Sequence, residues 1–255
     1  MSEQPLNVLG NKRNQWLVND TLCDLTRGAS QEKTQSINAA PQSLLIDKCR
    51  SALIVIDMQN DFCHAQGWLA SIGVDIAPAR NPIEPLNRLL PKLRAASVPI
   101  IWLNWGNRPD KLNLSPSLLH VYNSKGTSTG LGDVLGNTPG ALPSRVLEKN
   151  AWGAAVVDEL KQDDKDIHID KYRMSGFFDT CLDSVLRNLD VKTLLFAGVN
   201  ADQCVLATLM DANFLGYDCV FIEDCCATTS PSFCWDATIY NIRQCFGFTT
   251  HSEQF

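Results

Sequence analysis

Thr193-Leu-Leu-Phe-Ala-Gly-Val-Asn-Ala-Asp-Gln-Cys204-Val205 is an apolar run that turns through polar residues directly into a second apolar segment. The run reads as a strand over 193–199, and 202–215 as a helix closed by Gly216. That join sets the Cys204 thiol at a helix N-terminus, where free backbone N–H groups and the positive dipole end favour thiolate. Ser51-Ala-Leu-Ile-Val-Ile-Asp57 ends another buried strand on a carboxylate, and Ile167-His-Ile-Asp-Lys171 ends a short strand on a cation. Each of these groups follows an apolar run, at the strand end where open α/β sheets place their sites.

Outward from these segments the pattern alternates strand and helix. Residues 82–96 carry a helical stripe at Ile83, Leu86, Leu89, Leu90 and Leu93, with Pro85 and Pro91 predicting a kink or break. Strand 98–104 follows, and then an irregular stretch from Trp105 to about Asn150, dense in Gly, Pro, Ser and Asn, which reads as a lid over the site. Its Gly130-Leu-Gly132 segment has the wrong spacing for a dinucleotide loop, and no strand precedes it. The pattern predicts helices over 154–160, over 180–189 with Asp179 as N-cap, and over 231–245. Further strands are expected over 218–223 and 248–250. Strands separated by helices imply an α/β fold: a single-domain three-layer αβα arrangement around a mostly parallel, Rossmann-like six-stranded sheet. Residues 1–45, rich in Asn, Gln, Ser and Thr, read as an N-terminal extension anchored by Trp16 and Leu17, with the domain proper over 46–255.

A formal charge of −6 without any long basic cluster argues against nucleic acid or an anionic membrane as partner. No apolar stretch approaches the roughly 20 residues of a membrane span. Without a secretory h-region at the start, the ten cysteines fit a cytoplasmic protein better than a disulfide framework. No C-x-x-C pair occurs, so zinc ribbons and thioredoxin-type redox sites lack support. Cys181, Cys219 and Cys245 read as small core residues, and the adjacent Cys225-Cys226 as a packed turn or a weaker redox-sensor candidate. His64, His120, His168 and His251 are scattered without metal-ligand spacing, so no metal site is expected. His168 reads as a packed residue.

A buried carboxylate at Asp57 is costly unless paired or used, and it suits a general base for the Cys204 proton. Lys171 is expected to pair with it and to lower the sulfur's pKa. Trp68, Trp152 and Phe177 are pocket-wall candidates, whereas Trp102 reads as core. Asn104 and Trp105 leave a strand at the site end, and Arg173, Ser175 and Phe177 follow Lys171 closely. These five are the candidate substrate contacts. Glu223 and Asp224 read as turn caps.

The segments Ile54-Val-Ile-Asp57-Met-Gln-Asn-Asp-Phe62, Lys171-Tyr-Arg-Met-Ser-Gly-Phe177 and Gly198-Val-Asn-Ala-Asp-Gln-Cys204-Val205 resemble the isochorismatase-like cysteine hydrolase superfamily. Asp211-Ala-Asn-Phe-Leu-Gly216-Tyr217 and Glu223-Asp224 continue the resemblance, which spans roughly residues 50 to 250. Within that superfamily the chain is most similar to ureidoacrylate amidohydrolase and biuret-hydrolase-type members. The resemblance implies an Asp57–Lys171–Cys204 triad. It also implies a cis peptide at Val199–Asn200, with N–H groups of the 200–204 segment on the oxyanion and Val199, Asn200 and Ala201 forming that loop. It implies cleavage of the C–N bond in a small linear amide, ureide or carbamoyl compound through a thioester, no cofactor, and a homo-oligomer. Vinyl-ether hydrolysis and a non-catalytic binding or effector role on the same scaffold are the alternatives.

Overall fold

The computed structural model describes residues 5–11, 14–29, 33–139 and 143–255. Five short strands come first: β1 (Asn7–Asn11), β2 (Asn14–Val18), β3 (Leu22–Asp24), β4 (Thr34–Ile37) and β5 (Ser43–Asp47). They are followed by β6 (Ser51–Ile56), β7 (Ile100–Trp105), the small antiparallel pair β8 (Val134–Leu135) and β9 (Ser144–Arg145), then β10 (Ile167–Lys171), β11 (Thr193–Gly198), β12 (Asp218–Cys226) and β13 (Phe248–Thr250). The central sheet runs β10-β7-β6-β11-β12-β13. Every neighbouring pair in it is parallel, so the sheet is wholly rather than mostly parallel.

Burial explains why these runs became central strands. All six residues of β6 and all six of β11 are buried, as a strand covered on both faces requires. The covering helices include α1 (Ile83–Ala95), α2 (Leu182–Asn188), α3 (Leu206–Phe214) and α4 (Ser232–Asn241). Helix α1 packs on β7 and β12 and buries Ile83, Leu86, Leu89, Leu90 and Leu93. Its prolines do not divide it. Pro85 sits in the first turn, where backbone N–H groups have no intrahelical partner, and the helix continues through Pro91.

Two expected features of the helices are corrected. Residues 154–160 are not helical: a 3-10 turn, Trp152–Ala154, leads into chain that pairs with the segment after β6. There Asn60 N–H donates to Ala155 O (2.9 Å) and Val157 N–H to Met58 O (3.0 Å), so tertiary pairing overrides local helical pattern. Helix α2 starts at Leu182, later than expected. Asp179 adopts a left-handed φ of 63°, and Thr180 Oγ1 accepts the Leu182 N–H at 3.1 Å.

The leading segment, read as an N-terminal extension, folds into its own sheet of order β1-β2-β3-β5-β4. It is fastened to the central sheet at the start of β12. Asp218 accepts from Arg27 at 2.6 and 2.9 Å, from Trp16 Nε1 at 3.1 Å and from Thr193 Oγ1 at 3.2 Å. The Asp218 side chain is almost wholly buried. Loss of one partner from a buried ion pair strands the other. Asp218→Ala is therefore expected to lower unfolding free energy by about 3 kcal/mol in urea melts and to expose the leading sheet to limited proteolysis ahead of the core.

Cysteine and histidine burial departs from the pattern-based reading. Cys219 is buried, but Cys181 and Cys245 are exposed, because they occupy the outer faces of a helix start and a final helical turn. His168 is exposed because β10 is the edge strand and 168 shares its outward face with Asp170. Among the described residues no helix is long and apolar enough to cross a membrane.

Candidate active site

Asp57 directly follows β6 and turns through a left-handed φ of 52°, uncommon for a residue with a side chain. Lys171 closes β10, two strands away. Its ammonium passes 4.4 Å from the Trp105 ring centre and reaches Asp57 Oδ2 at 2.8 Å. Lys171 Nζ also donates to Arg173 O at 3.2 Å. Both partners are 0% exposed. Cys204, on the turn after β11, retains 4% of its surface and lies close enough to both groups for each to bear on its ionisation. Its best-aligned contact is soft, to Met174 Sδ at 3.7 Å.

The turn that carries the thiol has a local origin. Gly198 holds a φ of 115°, and a Cβ there would stand 2.0 Å from Ile56 O. Only glycine lets β11 end in contact with β6. The Val199–Asn200 peptide is cis, and residues Ala201–Val205 form a wide π-helical turn before α3. Val199 N–H donates to Ile56 O (3.0 Å) and Ala201 N–H to Ala227 O (2.8 Å). Of the three oxyanion-loop candidates, Asn200 alone keeps an N–H without a protein acceptor among the described residues.

Electrostatics correct one expectation. A thiol at a helix start should ionise readily, yet burial pushes Cys204 well above the ordinary thiol value, and the Lys171 charge offsets this only in part. The resting group is a thiol that needs a base. Burial also raises Asp57, against the pull of the Lys171 charge. Burial works to depress Lys171, but the Asp57 carboxylate foremost outweighs it and raises the ammonium above the ordinary lysine value.

The candidate substrate contacts separate. Trp105 lies beside Lys171, but Asn104 belongs to the opposite face of β7, in register with Asp170 rather than Lys171. There it lines a surface cavity of about 460 Å³ with Lys149, Ala151 and His168. Arg173 donates to the carbonyls of Asn113 (2.6 Å) and Tyr172 (2.8 Å), so its charge fastens the covering segment. Ser175 is buried and accepts from Phe177 N–H at 3.2 Å, while Phe177 stacks on Tyr217 at 6.0 Å. Trp102 is core, with its Nε1 on Asp166 at 2.8 Å. Asp224 accepts from Ser252 N–H at 2.8 Å, a capping contact.

Several residues that the strand-end pattern does not single out build the site. Gln59 clasps the end of β7: its Oε1 accepts from Trp105 N–H (2.8 Å), and its Nε2 donates to Trp105 O (2.8 Å) and Ala154 O (2.6 Å). Asp61 is fully buried and accepts from Leu147 N–H at 2.7 Å and Trp68 N–H at 3.2 Å. Burial nonetheless pushes its pKa up to about 6. The signal for both is the polar run Gln59-Asn60-Asp61 directly after a buried strand. The stretch after Trp105 is a packed cover, with Leu114, Leu118, Leu131, Leu135, Val146 and Leu147 buried.

A carboxylate, an ammonium and a thiol thus converge at the C-terminal edge of a parallel sheet. The sequence profile described as the Isochorismatase domain matches residues 51–254. The chain belongs to that family. It is 34% identical over 230 residues to the ureidoacrylate amidohydrolase RutB of Rhizobium rhizogenes (strain K84 / ATCC BAA-868), covering 89% of this chain and 91% of that protein. The same enzyme of Klebsiella variicola (strain At-22) is 34% identical over 221 residues, with 86% and 91% covered. A cysteine hydrolase from Pseudomonas syringae pv. phaseolicola 1448A superposes with a TM-score of 0.68 at 25% identity, over 82% of this chain and 92% of that one. N-carbamoylsarcosine amidase from Thermoplasma acidophilum shares the fold, with a TM-score of 0.61 at 24% identity over 81% and 98%.

Proposed function

We propose that the protein is a cysteine-dependent amidohydrolase that cleaves the C–N bond of a small linear amide, ureide or carbamoyl compound. The observation that carries this reading is the buried Lys171–Asp57 pair, 2.8 Å apart, with the Cys204 thiol in reach of both. In this reading Asp57 takes the thiol proton, and the sulfur adds to the substrate carbonyl carbon. The Asn200 N–H, aided by the Cys204 N–H, receives the oxyanion. The C–N bond breaks as Asp57 returns the proton to the leaving nitrogen, giving a thioester and ammonia or an amine. Water then cleaves the thioester, with its proton taken by Asp57 and passed to the sulfur. Lys171 remains protonated throughout and keeps the buried Asp57 ionisable.

The relatives named ureidoacrylate amidohydrolase support this choice over vinyl-ether hydrolysis, and an intact thiol with its base speaks against a purely binding role. Ten unpaired cysteines fit a cytoplasmic setting. The reading includes a homo-oligomer, which the exposed rings of Phe214, Phe233 and Tyr240 support.

Ammonia release from a panel of biuret, N-carbamoyl amino acids and simple aliphatic amides tests the reaction. At least one member should be turned over, and none would sink the assignment. The pH profile adds a signed prediction. The base form of Asp57 exists only above its raised pKa, so kcat/KM should fall with acidification at a pH above the ordinary carboxylate value of 3.8. A profile flat down to pH 4 would remove Asp57 from the proton path.

A further inference from the structure

One residue of the covering segment grips the turn that bears the nucleophile. Tyr122 has a left-handed φ of 54°, is half-buried, and stands edge-on to Trp68 with ring centres 5.7 Å apart. Its hydroxyl lies 3.0 Å from Gln203 Oε1, to which it donates, and 2.8 Å from Gln203 Nε2. It also accepts from Asn200 Nδ2 at 3.5 Å. Gln203 immediately precedes Cys204. Asn200 opens the same turn and carries the unpartnered N–H. A single hydroxyl therefore ties both ends of the segment whose backbone would meet an oxyanion.

Neighbouring contacts complete the brace. Asn200 Oδ1 accepts from Thr229 N–H at 3.1 Å, and Gln203 Nε2 donates to Ser230 Oγ at 3.3 Å. Burial foremost, with the nearby Asp202 charge, raises Tyr122 above the ordinary phenol value, so it remains an O–H donor at neutral pH. The covering segment has other fastenings: Trp68 Nε1 to Thr129 O (2.7 Å), Arg173 to Asn113 O (2.6 Å) and Leu147 N–H to Asp61 (2.7 Å). Loss of one hydroxyl leaves that segment in place and changes only the turn.

We propose that Tyr122 is a positioning residue that aims the Asn200 and Cys204 N–H groups at the carbonyl oxygen, acting on carbonyl addition and not on thiol activation. This rests on the thioester reading above. Displacement of oxyanion donors by a fraction of an ångström carries large rate effects, since such donors act through pre-set geometry.

Two probes of the sulfur separate these roles. Alkylation by iodoacetamide displaces iodide and forms no oxyanion. Reversible addition of propionaldehyde forms a C–S bond, opens the carbonyl π bond and places an oxygen where the donors point, the thiol proton going to that oxygen. Tyr122→Phe keeps the ring on Trp68. It is expected to lower kcat on the best panel substrate about 10- to 100-fold, with KM within about threefold. Propionaldehyde inhibition should weaken by a similar factor, and Cys204 alkylation should hold within about twofold. Gln203→Met should reproduce this, and the double variant should fall well short of the product of the two effects, as for residues on one link. Unchanged kcat, unchanged aldehyde inhibition, or alkylation that falls in step with kcat would overturn the proposal. Wild-type protein in which neither probe reaches Cys204 would overturn the thiol reading itself, and this proposal with it.

Discussion

Cys204→Ala is expected to end ammonia release, with kcat down by at least about 10⁴-fold, while the protein stays folded. Removal of a nucleophile from a preassembled group leaves only what binding and oxyanion contacts contribute. The structural loss is small: one buried sulfur whose best contact is Met174 Sδ at 3.7 Å. Destabilisation of about 1 kcal/mol is expected, or about 2–4 °C in melting temperature for a chain of this size. Cys204→Ser should be equally inactive, because a hydroxyl is far harder for a buried carboxylate to deprotonate. An ammonia assay beside a circular dichroism melt checks both. Of the other thiols, Cys23, Cys63, Cys219, Cys225 and Cys226 are buried and held above their ordinary pKa by burial. Turnover by Cys204→Ala would therefore mean that the chemistry does not run through Cys204.

Lys171→Met is expected to do damage of two kinds. It leaves the fully buried Asp57 carboxylate without a countercharge, where an unpaired ion is destabilising by about 3–5 kcal/mol. Asp57 escapes by staying protonated, and a protonated Asp57 cannot accept the Cys204 proton, so kcat should fall by about 10³-fold or more. Asp57→Asn with Lys171→Met removes both charges. Replacement of a whole buried pair is often neutral for stability. The double variant should recover most of the lost unfolding free energy in urea and none of the activity. A single variant as stable and active as wild type would mean that the 2.8 Å contact contributes neither structure nor catalysis.

The central sheet was legible because β6 and β11 are uninterrupted apolar runs, and only a strand covered on both sides uses such runs at that length. Strand ends likewise singled out Asp57, Lys171 and Cys204 as residues that meet. Faces were harder. Asn104 and Trp105 are adjacent, and alternation puts one on each side of β7 without saying which side holds Lys171. Burial was harder still: a helix start argues for thiolate, but the depth that raises Cys204 depends on a cover contributed by distant residues. The leading sheet escaped notice because its strands are three to five residues long and its fastening, Arg27 to Asp218, joins residues 191 positions apart. Tyr122 meets Gln203 across 81 positions, from a stretch whose composition announces only irregular backbone.

Gly198 carries a further lesson. With a Cβ there only 2.0 Å from Ile56 O, the ends of β6 and β11 touch main chain to main chain, leaving no room for drift between the groups mounted just beyond them. The backbones that carry Asp57 and Cys204 are thereby welded together, whereas the cover above them is a separate stretch of polypeptide. On the proposed reading, a redesign for a new compound would redraw the stretch from Asn107 to Pro139 and leave the weld alone.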